Sequence, residues 1–362
     1  MIPRAQMQRL AASYGEPRVG VMGSHSALEI MDGAKDEGLQ TAVYCQRGRD
    51  APYRRFSRVA DEVITLARFA DMASARVQRS MRESSTIVVP HRSFAVYLGY
   101  TRIENSFRVP LFGNRAMLRA EERDEAKNQY DLLRKAGIRH PRVVRPEEID
   151  GPCIVKVQEG RRRLERAFFT VSSREDYEAK SRERVRSGTI TRAGLRRAAI
   201  EELAIGTYMN FNFFSTPLTP EAEFLGVERR LQSNIHDYNA LPARQQLDMG
   251  IDIQNVEVGH TPASVRESLL ERVFGIGDRF VRAARSMYRP GVIGPFSLQS
   301  VITKDLELVV YDVSMRVPGN PILATTSPYT KYTHGRTIGV GRRIAMEIAR
   351  ARDAGRLADV VT

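Results

Sequence analysis

The chain has 362 residues, which exceeds what one hydrophobic core usually serves, and 42% of them are hydrophobic; we therefore expect a globular protein of two or three packed subdomains. A formal charge of +13 raises the question of nucleic acid, but the arginines are spread along the chain without a zinc-finger or recognition-helix signature, so no nucleic-acid partner is expected. The sequence has neither a signal-peptide core nor a run of eighteen apolar residues, which argues against a membrane protein and predicts a cytoplasmic one.

The first region, from residue 18 to about 99, alternates strand-like and helix-like patterns. Four apolar runs predict strands, and helices are predicted over SALEIMDGAKDEG and around Ala70–Arg82; the strand runs are RVGVMG, TAVYCQRG, EVITL and TIVVPH. This succession predicts a parallel, doubly wound sheet, whose ligands bind beyond the carboxyl ends of the strands.

Cys45 and Cys153 each lie in an apolar run without metal-binding spacing, so both are predicted to be buried thiols in a reducing compartment.

Polar residues stand at two of these predicted strand ends. Gly23-Ser24-His25 closes the first strand and begins the first helix, where outward-facing amides suit an anion such as phosphate. The segment is not a GxGxxG fingerprint, which argues against a dinucleotide. His91-Arg92-Ser93 closes a later strand of the same sheet. Each histidine alone is also explained as a packed, hydrogen-bonded surface residue, but two at one sheet edge favour a binding site.

The second region begins near Phe112. A charged helix is predicted over Leu118–Ala136, ending at Gly137, which suits a helix C-cap. The strand predicted at Cys153–Val157 carries Lys156, and a lysine in so apolar a run is unusual because burying an ammonium without an anion partner is costly. Lys156 is therefore a candidate ligand of phosphates; the alternative is an edge-strand lysine that faces solvent.

A strand predicted at Ile200–Gly206 carries a pair of carboxylates, Glu201 and Glu202. They could accept hydrogen bonds from ribose hydroxyls, or they could form an ordinary charged strand end. The third region runs from Asn210 to the C-terminus. It is predicted to contain strands at Met209–Phe214 and Phe224–Val227, a helix from Pro262 to about Met287, a hairpin over Pro295–Arg316 and a basic helix at Gly341–Ala354.

The hairpin carries the most informative pair of polar side chains in the chain, Gln299 and Asp312. A two-residue turn at Lys304-Asp305 would pair Thr303 with Leu306 and would put Gln299 and Asp312 on one face. A slip of one residue would move Asp312 to the opposite face. Two oxygen-bearing side chains on adjacent apolar strands suit a hard cation that bridges nucleotide phosphates, and a solvated sheet edge is the alternative.

A strand lysine, a glutamate pair before a glycine and late oxygen ligands on a hairpin, all behind a doubly wound domain, resemble the ATP-grasp superfamily. Longer motifs are similar, in order and over nearly the whole chain, to the archaeal formate-dependent 5-formaminoimidazole-4-carboxamide ribonucleotide synthetases, the PurP family; they include GSHSALEIMDGAKDEG, RGRDAPYRRF, IVVPHRSF, ENSFRVPLFGNR, LLRKAGI, ERRLQSNIHDYNALPA, RESLLERVFGIGDRFV and PGVIGPFSLQS. The resemblance implies an α/β protein with a doubly wound N-terminal (pre-ATP-grasp) domain at 1–115. A two-lobed α+β ATP-grasp domain would follow, with its small lobe at 116–206 and its C-terminal lobe and metal-binding hairpin at 207–362.

The resemblance also implies a reaction. ATP would activate formate as formyl phosphate, which the 5-amino group of 5-aminoimidazole-4-carboxamide ribonucleotide attacks, giving the formamide, ADP and phosphate in purine (IMP) biosynthesis. A homo-oligomer using ATP and Mg²⁺ or Mn²⁺ is implied. For the aminoimidazole-carboxamide ribonucleotide, called the ribotide below, the implied ligands are His25, Ser93 and Asn234. For ATP they are Lys156, Glu201, Glu202 and Arg230, with Arg229 as a further anion partner. For the metal they are Gln299 and Asp312. The resemblance assigns no catalytic residue.

Several positions depart from the family pattern. The glycine-rich stretch KxPGARGGRGYF of the family is KVQEGRRRLERAFF here, with a basic segment at Arg161–Arg166 in place of the glycine-rich lid. The family's HGSF carries Arg92 as its second residue, its metal glutamate is Asp312, and its Gly-Thr-Asn is reduced to Pro318-Gly319-Asn320. These changes favour a divergent paralogue. They leave open a ligase for another carboxylate and amine, or a non-catalytic nucleotide- or RNA-binding protein.

Overall fold

A computed structural model describes residues 1–123, 125–157, 167–232, 235–249 and 257–362. The chain forms two compact units: the first comprises residues 1–118, 209–298 and 314–362, and the second comprises residues 119–208 and 299–313. The three regions predicted from the sequence follow the chain order, whereas these units are interleaved along it. Within the described ranges, no helix is long and apolar enough to cross a membrane.

The N-terminal part of the first unit is the predicted doubly wound sheet. Its four strands are parallel and lie in the order β3-β2-β1-β4, with Val19 paired to Thr41 and to Ile87. Cys45 is buried on β2, as predicted. The elements are α1 (Arg4–Ala12), β1 (Arg18–Met22), α2 (Ala27–Asp36), β2 (Thr41–Gln46), α3 (Ala51–Arg55), β3 (Glu62–Leu66), a 3₁₀ helix (Phe69–Ala73), α4 (Ala75–Glu83), β4 (Thr86–Val88), α5 (Arg92–Leu98), α6 (Tyr100–Asn105) and a 3₁₀ helix (Arg115–Met117).

The second unit contains a four-stranded antiparallel sheet that carries Lys156 on an inner strand. Its order is β5-β8-β6-β7, and Lys156 pairs with Ala199 on one side and Phe168 on the other. Cys153, the second predicted buried thiol, is buried on β6. The elements are a 3₁₀ helix (Arg119–Glu121), α7 (Gln129–Lys135), β5 (Val143–Val144), a 3₁₀ helix (Pro146–Glu148), β6 (Cys153–Val157), β7 (Ala167–Val171), α8 (Arg174–Arg186), α9 (Arg192–Arg196) and β8 (Ala199–Glu202).

The chain from residue 207 onward adds a third sheet, which is mostly antiparallel, and the C-terminal helices. The strand order of this sheet is β11-β10-β9-β12-β13. The elements are β9 (Thr207–Ser215), β10 (Glu223–Gln232), α10 (Ile235–Ala240), α11 (Ala243–Asp248), β11 (Glu257–Ala263), a 3₁₀ helix (Glu267–Leu269), α12 (Leu270–Met287), β12 (Gly294–Ile302), β13 (Leu308–Ser314), α13 (Leu323–Thr326), α14 (Pro328–His334), α15 (Val340–Asp353) and a 3₁₀ helix (Leu357–Asp359).

Helices α2 and α15 pack closely in the first unit because glycines meet at their contact. A Cβ on Gly33 would overlap the backbone of Arg342, and a Cβ on Gly341 would overlap the backbone of Glu29. The Glu29 carboxylate accepts hydrogen bonds from the N–H groups of Val340 (2.9 Å) and Gly341 (3.4 Å), at the start of α15. This contact fixes the C-terminal helix against the doubly wound sheet.

Two predicted helix boundaries are wrong. The helix predicted over Leu118–Ala136 is confined to α7, because Asn128 caps it: the Asn128 side chain accepts from the Tyr130 N–H, and the Asp131 carboxylate accepts from the Asn128 N–H. The helix predicted from Pro262 begins only at Leu270. Pro262 lies in β11, an edge strand, where the missing N–H is tolerated.

The predicted two-residue hairpin turn is also wrong. The Thr303 N–H donates to the Glu307 carbonyl (3.0 Å) and the Leu306 N–H donates to the Thr303 carbonyl (3.0 Å), so the loop has three residues. Leu306 has a φ of +60°, the left-handed conformation that closes such loops. Thr303 therefore pairs with Glu307, one residue beyond its predicted partner Leu306. If this register continues without a bulge, Gln299 lies opposite Tyr311, and Asp312 lies on the other face.

Candidate active site

The first unit brings two histidines together at the carboxyl ends of adjacent parallel strands. His25 follows β1 and His91 follows β4, and their rings stack with centroids 5.5 Å apart. The Ser93 hydroxyl donates to the Ser24 hydroxyl at 3.0 Å across the same edge. His25 has a φ of +52°, which is uncommon for a residue other than glycine and is often found at functional sites. The structure thus places the predicted residues His25 and Ser93 side by side.

The hydrogen bonds of these histidines define where each ring can accept a proton. The Ser26 hydroxyl donates to the Pro318 carbonyl (2.7 Å), so the His25 Nδ1–H, 2.6 Å from the same hydroxyl, must be the donor to it. Nε2 of His25 is then an unprotonated acceptor. His91 Nε2 lies 2.9 Å from the Met22 carbonyl and donates to it, which leaves His91 Nδ1 as an acceptor without a hydrogen-bond partner in the described ranges.

Both imidazoles are neutral at neutral pH. Burial is the main cause, and it lowers the pKa of His91 to about 4. Burial, together with the positive charge of Arg316 and the neighbouring His91, lowers the pKa of His25 to about 2. Rings that stay neutral present acceptors rather than cations, so this edge of the sheet suits a ligand that donates N–H or O–H groups.

A third histidine, His260, borders the same space but is positively charged at neutral pH, unlike His25 and His91. Its Nδ1 lies 2.8 Å from a Glu228 carboxylate oxygen and its Nε2 lies 2.9 Å from a Glu257 oxygen. Burial would lower the pKa of His260, but the two carboxylates raise it to about 9. A Cβ on Gly319 would lie 3.3 Å from His25 Nε2 and 3.8 Å from His260 Nε2, so glycine keeps this space open. We call His25, His91, Gly319, Glu228 and His260 the first-unit cluster.

Asn320, the residue after Gly319, is completely buried. Neither its Nδ2 nor its Oδ1 has a hydrogen-bond partner within the part of the chain that the structure describes. Buried polar groups without partners are costly, and they occur chiefly where a ligand or water completes the site. The Pro318-Gly319-Asn320 segment therefore lines a polar space.

The second unit buries a network of two cations and two carboxylates. The Lys156 ammonium is ion-paired with Glu201, and the Tyr130 hydroxyl donates to the same carboxylate. Arg123 Nη2 donates to Asp312 Oδ1 at 2.6 Å, and its Nε lies 3.4 Å from Glu201 Oε1. Burial and the nearby Arg123 lower the pKa of Lys156 from its ordinary value. We call these five residues the second-unit cluster.

Arg123 and Asp312 are the more accessible residues of that cluster. Burial alone would lower the pKa of Arg123, but Asp312, Tyr130 and Glu201 raise it above its ordinary value, so the guanidinium stays charged. Glu201 is completely buried, whereas the side chain of Asp312 is 13% exposed. A ligand can therefore reach Asp312 more easily than Glu201.

The other predicted ligands lie in different surroundings. Glu202 is exposed at the strand end, where its carboxylate accepts from the Arg142 N–H at 3.4 Å. Arg230, predicted as an ATP residue, lies on β10 in the first unit and forms an ion pair with Glu257 at 3.0 Å. Arg229 is exposed on the same strand. Asn234 and the basic segment Arg161–Arg166 lie outside the described residues.

The predicted metal residues, Gln299 and Asp312, are both buried in the second unit. Carboxylate and amide oxygens are ligands that Mg²⁺ accepts. Across the described ranges, no group of three or more His, Cys, Asp or Glu side chains is arranged to hold a metal ion. A magnesium ion here would therefore need phosphate and water oxygens to complete its coordination, as is usual for nucleotide-bound Mg²⁺.

The sequence reasoning missed Arg123, Tyr130, Glu228 and His260. The first two fell inside the helix predicted over Leu118–Ala136, where charged residues look like a solvated face. The spacing of Asn128 and Asp131 was a usable signal, because a capping box there would have placed Arg123 before the helix. No comparable signal marks Glu228 and His260, which are brought together by the pairing of β10 with β11.

One family model, described as a protein of unknown function (DUF1246), matches residues 19–144, and another, a domain of unknown function (DUF1297), matches residues 176–362. A protein from Methanopyrus kandleri named 5-formaminoimidazole-4-carboxamide-1-(beta)-D-ribofuranosyl 5'-monophosphate synthetase is 41% identical over 100% of both chains. A protein of the same name from Methanocaldococcus jannaschii is 40% identical over 97% of both. The chain belongs to this synthetase family.

Solved structures confirm the predicted ATP-grasp fold of the synthetase. The crystal structure of an IMP biosynthesis protein PurP from Thermococcus kodakaraensis matches with a TM-score of 0.72 and 28% identity, covering 95% of this chain and 100% of that one. The ADP complex of purK, an N5-carboxyaminoimidazole ribonucleotide synthetase, matches with a TM-score of 0.60 over 90% of this chain and 77% of its own. At 14% identity the second match shows the fold alone. The family membership predicted from the sequence motifs is likewise confirmed.

Proposed function

We propose that the synthetase is an ATP-dependent ligase that formylates 5-aminoimidazole-4-carboxamide ribonucleotide, consuming formate and releasing ADP and phosphate. The observation that carries this proposal is the full-length identity of about two residues in five with synthetases named for the formamide product. The two buried polar clusters are consistent with it. Phosphoryl transfer requires cations that hold the phosphates, and amine attack requires a group that orients the amine.

The second-unit cluster supports nucleotide binding. Lys156 lies on an inner strand, is 6% exposed and is held by Glu201, so its position is fixed before any ligand arrives. A lysine ammonium interacts with phosphate as a point charge, and a fixed ammonium loses little entropy when it binds. We assign Lys156 to the ATP phosphates, and we assign Glu201 to holding Lys156 rather than to the adenosine.

The metal assignment rests on Asp312, with Gln299 as a second donor. Asp312 fits a hard divalent cation because its carboxylate is buried yet in part accessible. The bound metal would neutralise charge on the phosphates. The three-residue hairpin loop shifts the register by one residue, and an unbroken register turns the Gln299 side chain away from Asp312, so Asp312 is the principal donor.

The first-unit cluster supports binding of an amine. With the His25 Nε2 as an unprotonated acceptor, the amine can donate an N–H to it and keep its lone pair directed at an electrophile. A ring with so low a pKa orients the amine but is a weak general base. We assign His25 and Ser93 to the ribotide, and Asn234 stays a prediction from the sequence.

The test is a product assay with ¹³C-formate, Mg-ATP and the ribotide, read as labelled formamide by mass spectrometry and as ADP. We expect labelled product with the native chain and its loss in Lys156→Met. The control is Lys180→Met, which removes a lysine that is more exposed, in the same unit, and paired with Asp176 on one helix. Native protein that binds Mg-ATP and the ribotide but forms no labelled product would overturn the proposal.

A ligase for a different carboxylate or amine is the second candidate. It is favoured by the His260 imidazolium and by Arg92, whose guanidinium donates to the Tyr100 hydroxyl at 3.0 Å next to Ser93. Replacing ¹³C-formate by other small carboxylates in the same assay separates the two candidates. A cytoplasmic homo-oligomer stays a prediction from the sequence, and light scattering would measure its size.

A further inference from the structure

Besides Lys156, the second-unit cluster contains a second buried cation, Arg123. Arg123 Nη2 donates to Asp312 Oδ1 at 2.6 Å and to the Tyr311 carbonyl at 3.3 Å, and its Nε donates to the Tyr130 hydroxyl at 3.0 Å. We propose that Arg123 is a phosphate-binding residue of the nucleotide site, held on Asp312 until a divalent cation takes that carboxylate. This inference rests on the proposed function, because it requires that the site bind a nucleoside triphosphate with its metal.

The first argument is the charge balance of the cluster. Two cations, Lys156 and Arg123, face two carboxylates, Glu201 and Asp312, and none of the four side chains is more than 13% exposed. A divalent cation at Asp312 adds two positive charges beside a guanidinium that already uses the same carboxylate. Such crowding is unfavourable in a buried site unless an anion follows. The phosphates that accompany the metal supply that anion.

The second argument is the geometry of the guanidinium. Its Nε and Nη2 have Tyr130 and Tyr311 as partners besides the carboxylates, so Arg123 stays anchored when Asp312 turns to a metal. Its Nη1 makes no hydrogen bond to any residue that the structure describes. Two N–H groups are thus open beside Asp312. Either N–H of Nη1 can donate a charge-assisted hydrogen bond to a phosphate oxygen while Nε and Nη2 keep the guanidinium in place.

The experiment measures metal binding and nucleotide binding separately in Arg123→Met. Mn²⁺ alone, followed by electron paramagnetic resonance, is expected to bind several-fold more tightly than to the native chain, since the competing cation is gone. Mg-ATP, followed by calorimetry, is expected to bind about tenfold or more weakly, since a charge-assisted phosphate contact is lost. Effects of opposite sign distinguish this role from a structural one.

Two further variants keep the result interpretable. Arg139→Met is the matched control, because Arg139 is an exposed arginine of the same unit that is ion-paired with Glu307; both affinities should stay unchanged. Arg123→Lys keeps a charge if Arg123→Met unfolds, and it should bind Mg-ATP with intermediate affinity. Weakening of both Mn²⁺ and Mg-ATP in a folded variant would overturn the proposal, as would no change in either. Absence of Mg-ATP binding in the native chain would instead overturn the proposed function.

Discussion

The two polar clusters differ in how completely the protein satisfies them. In the second unit, Lys156, Glu201, Arg123 and Asp312 neutralise one another, so a metal ion that binds Asp312 competes with Arg123 for its carboxylate. In the first unit, His25 Nε2 and His91 Nδ1 are neutral acceptors whose hydrogen-bonding capacity the described residues leave open. The difference indicates two modes of recognition. On the proposed assignments, the first-unit cluster binds a donor ligand without rearrangement, whereas the second-unit cluster couples nucleotide binding to the arrival of a metal.

The largest expected effect comes from breaking the second cluster. Lys156→Met leaves the buried Glu201 carboxylate without its closest cation, and breaking a buried ion pair from one side costs about 3–5 kcal/mol of stability. Urea unfolding followed by circular dichroism measures the loss. The double variant Lys156→Met/Glu201→Leu should recover most of it, because two apolar residues leave no unpaired charge. Equal stabilities of the native chain and the single variant would show that the Lys156–Glu201 ion pair does not stabilise the fold.

A smaller effect, confined to one ligand, is expected in the first cluster. His25→Ala removes the acceptor for the amine and should weaken binding of the ribotide by about 1–2 kcal/mol, the scale of one buried hydrogen bond. Mg-ATP affinity should be unchanged, because the assigned nucleotide residues belong to the second unit. Calorimetry with each ligand makes the comparison. Equal loss of both ligands would assign His25 to folding.

The extent to which sequence predicts this molecule differs between the two units. The doubly wound sheet follows from local apolar periodicity, and parallel pairing then brings His25 and Ser93 to one edge, so the first pair of site residues was predictable. The network around Arg123 was not, because it depends on where α7 begins and on a hairpin loop whose length shifts the register. His260 and Glu228 meet only through the pairing of β10 with β11, a contact between distant strands that no local pattern encodes.

His260 gives the stability of the first-unit cluster a pH dependence. Its folded-state pKa is raised to about 9 from 6.5. The stabilisation that protonated His260 gives the folded state is therefore fully present below pH 6.5, and it is lost as the pH rises from there through 9. After allowance for solvent screening, its size is on the order of 1 kcal/mol. Neighbouring groups also titrate, so the test compares the native chain with His260→Gln.

Unfolding free energies of the two proteins measured from pH 6 to pH 10 should converge as the pH rises. The groups that face His260 are Glu228 and Glu257, with Arg316 and the neutral His25 bordering the same space. Parallel stability curves over this range would show that His260 is not held protonated.

The smallest expected effect is that of Gly319→Ala on ribotide affinity. The φ of Gly319 lies outside the left-handed region, so alanine is compatible with the backbone; the stiffer unfolded chain opposes the tight methyl contact with His25, and Gly319→Ala should leave stability within about 1 kcal/mol of the native chain. The new methyl group would lie 3.2 Å from the His25 ring and 3.8 Å from His260 Nε2, in the space between the acceptor and the imidazolium. Ribotide affinity should therefore fall by about 0.5–1 kcal/mol, the scale of slight overpacking in a site that can adjust. Mg-ATP affinity should not change, because the atoms nearest to the methyl group belong to His25 and His260, neither of which is assigned to the nucleotide. Full ribotide affinity in this variant would show that the ligand does not enter the space between the two histidines, and it would restrict the first site to the edge formed by His25, His91 and Ser93.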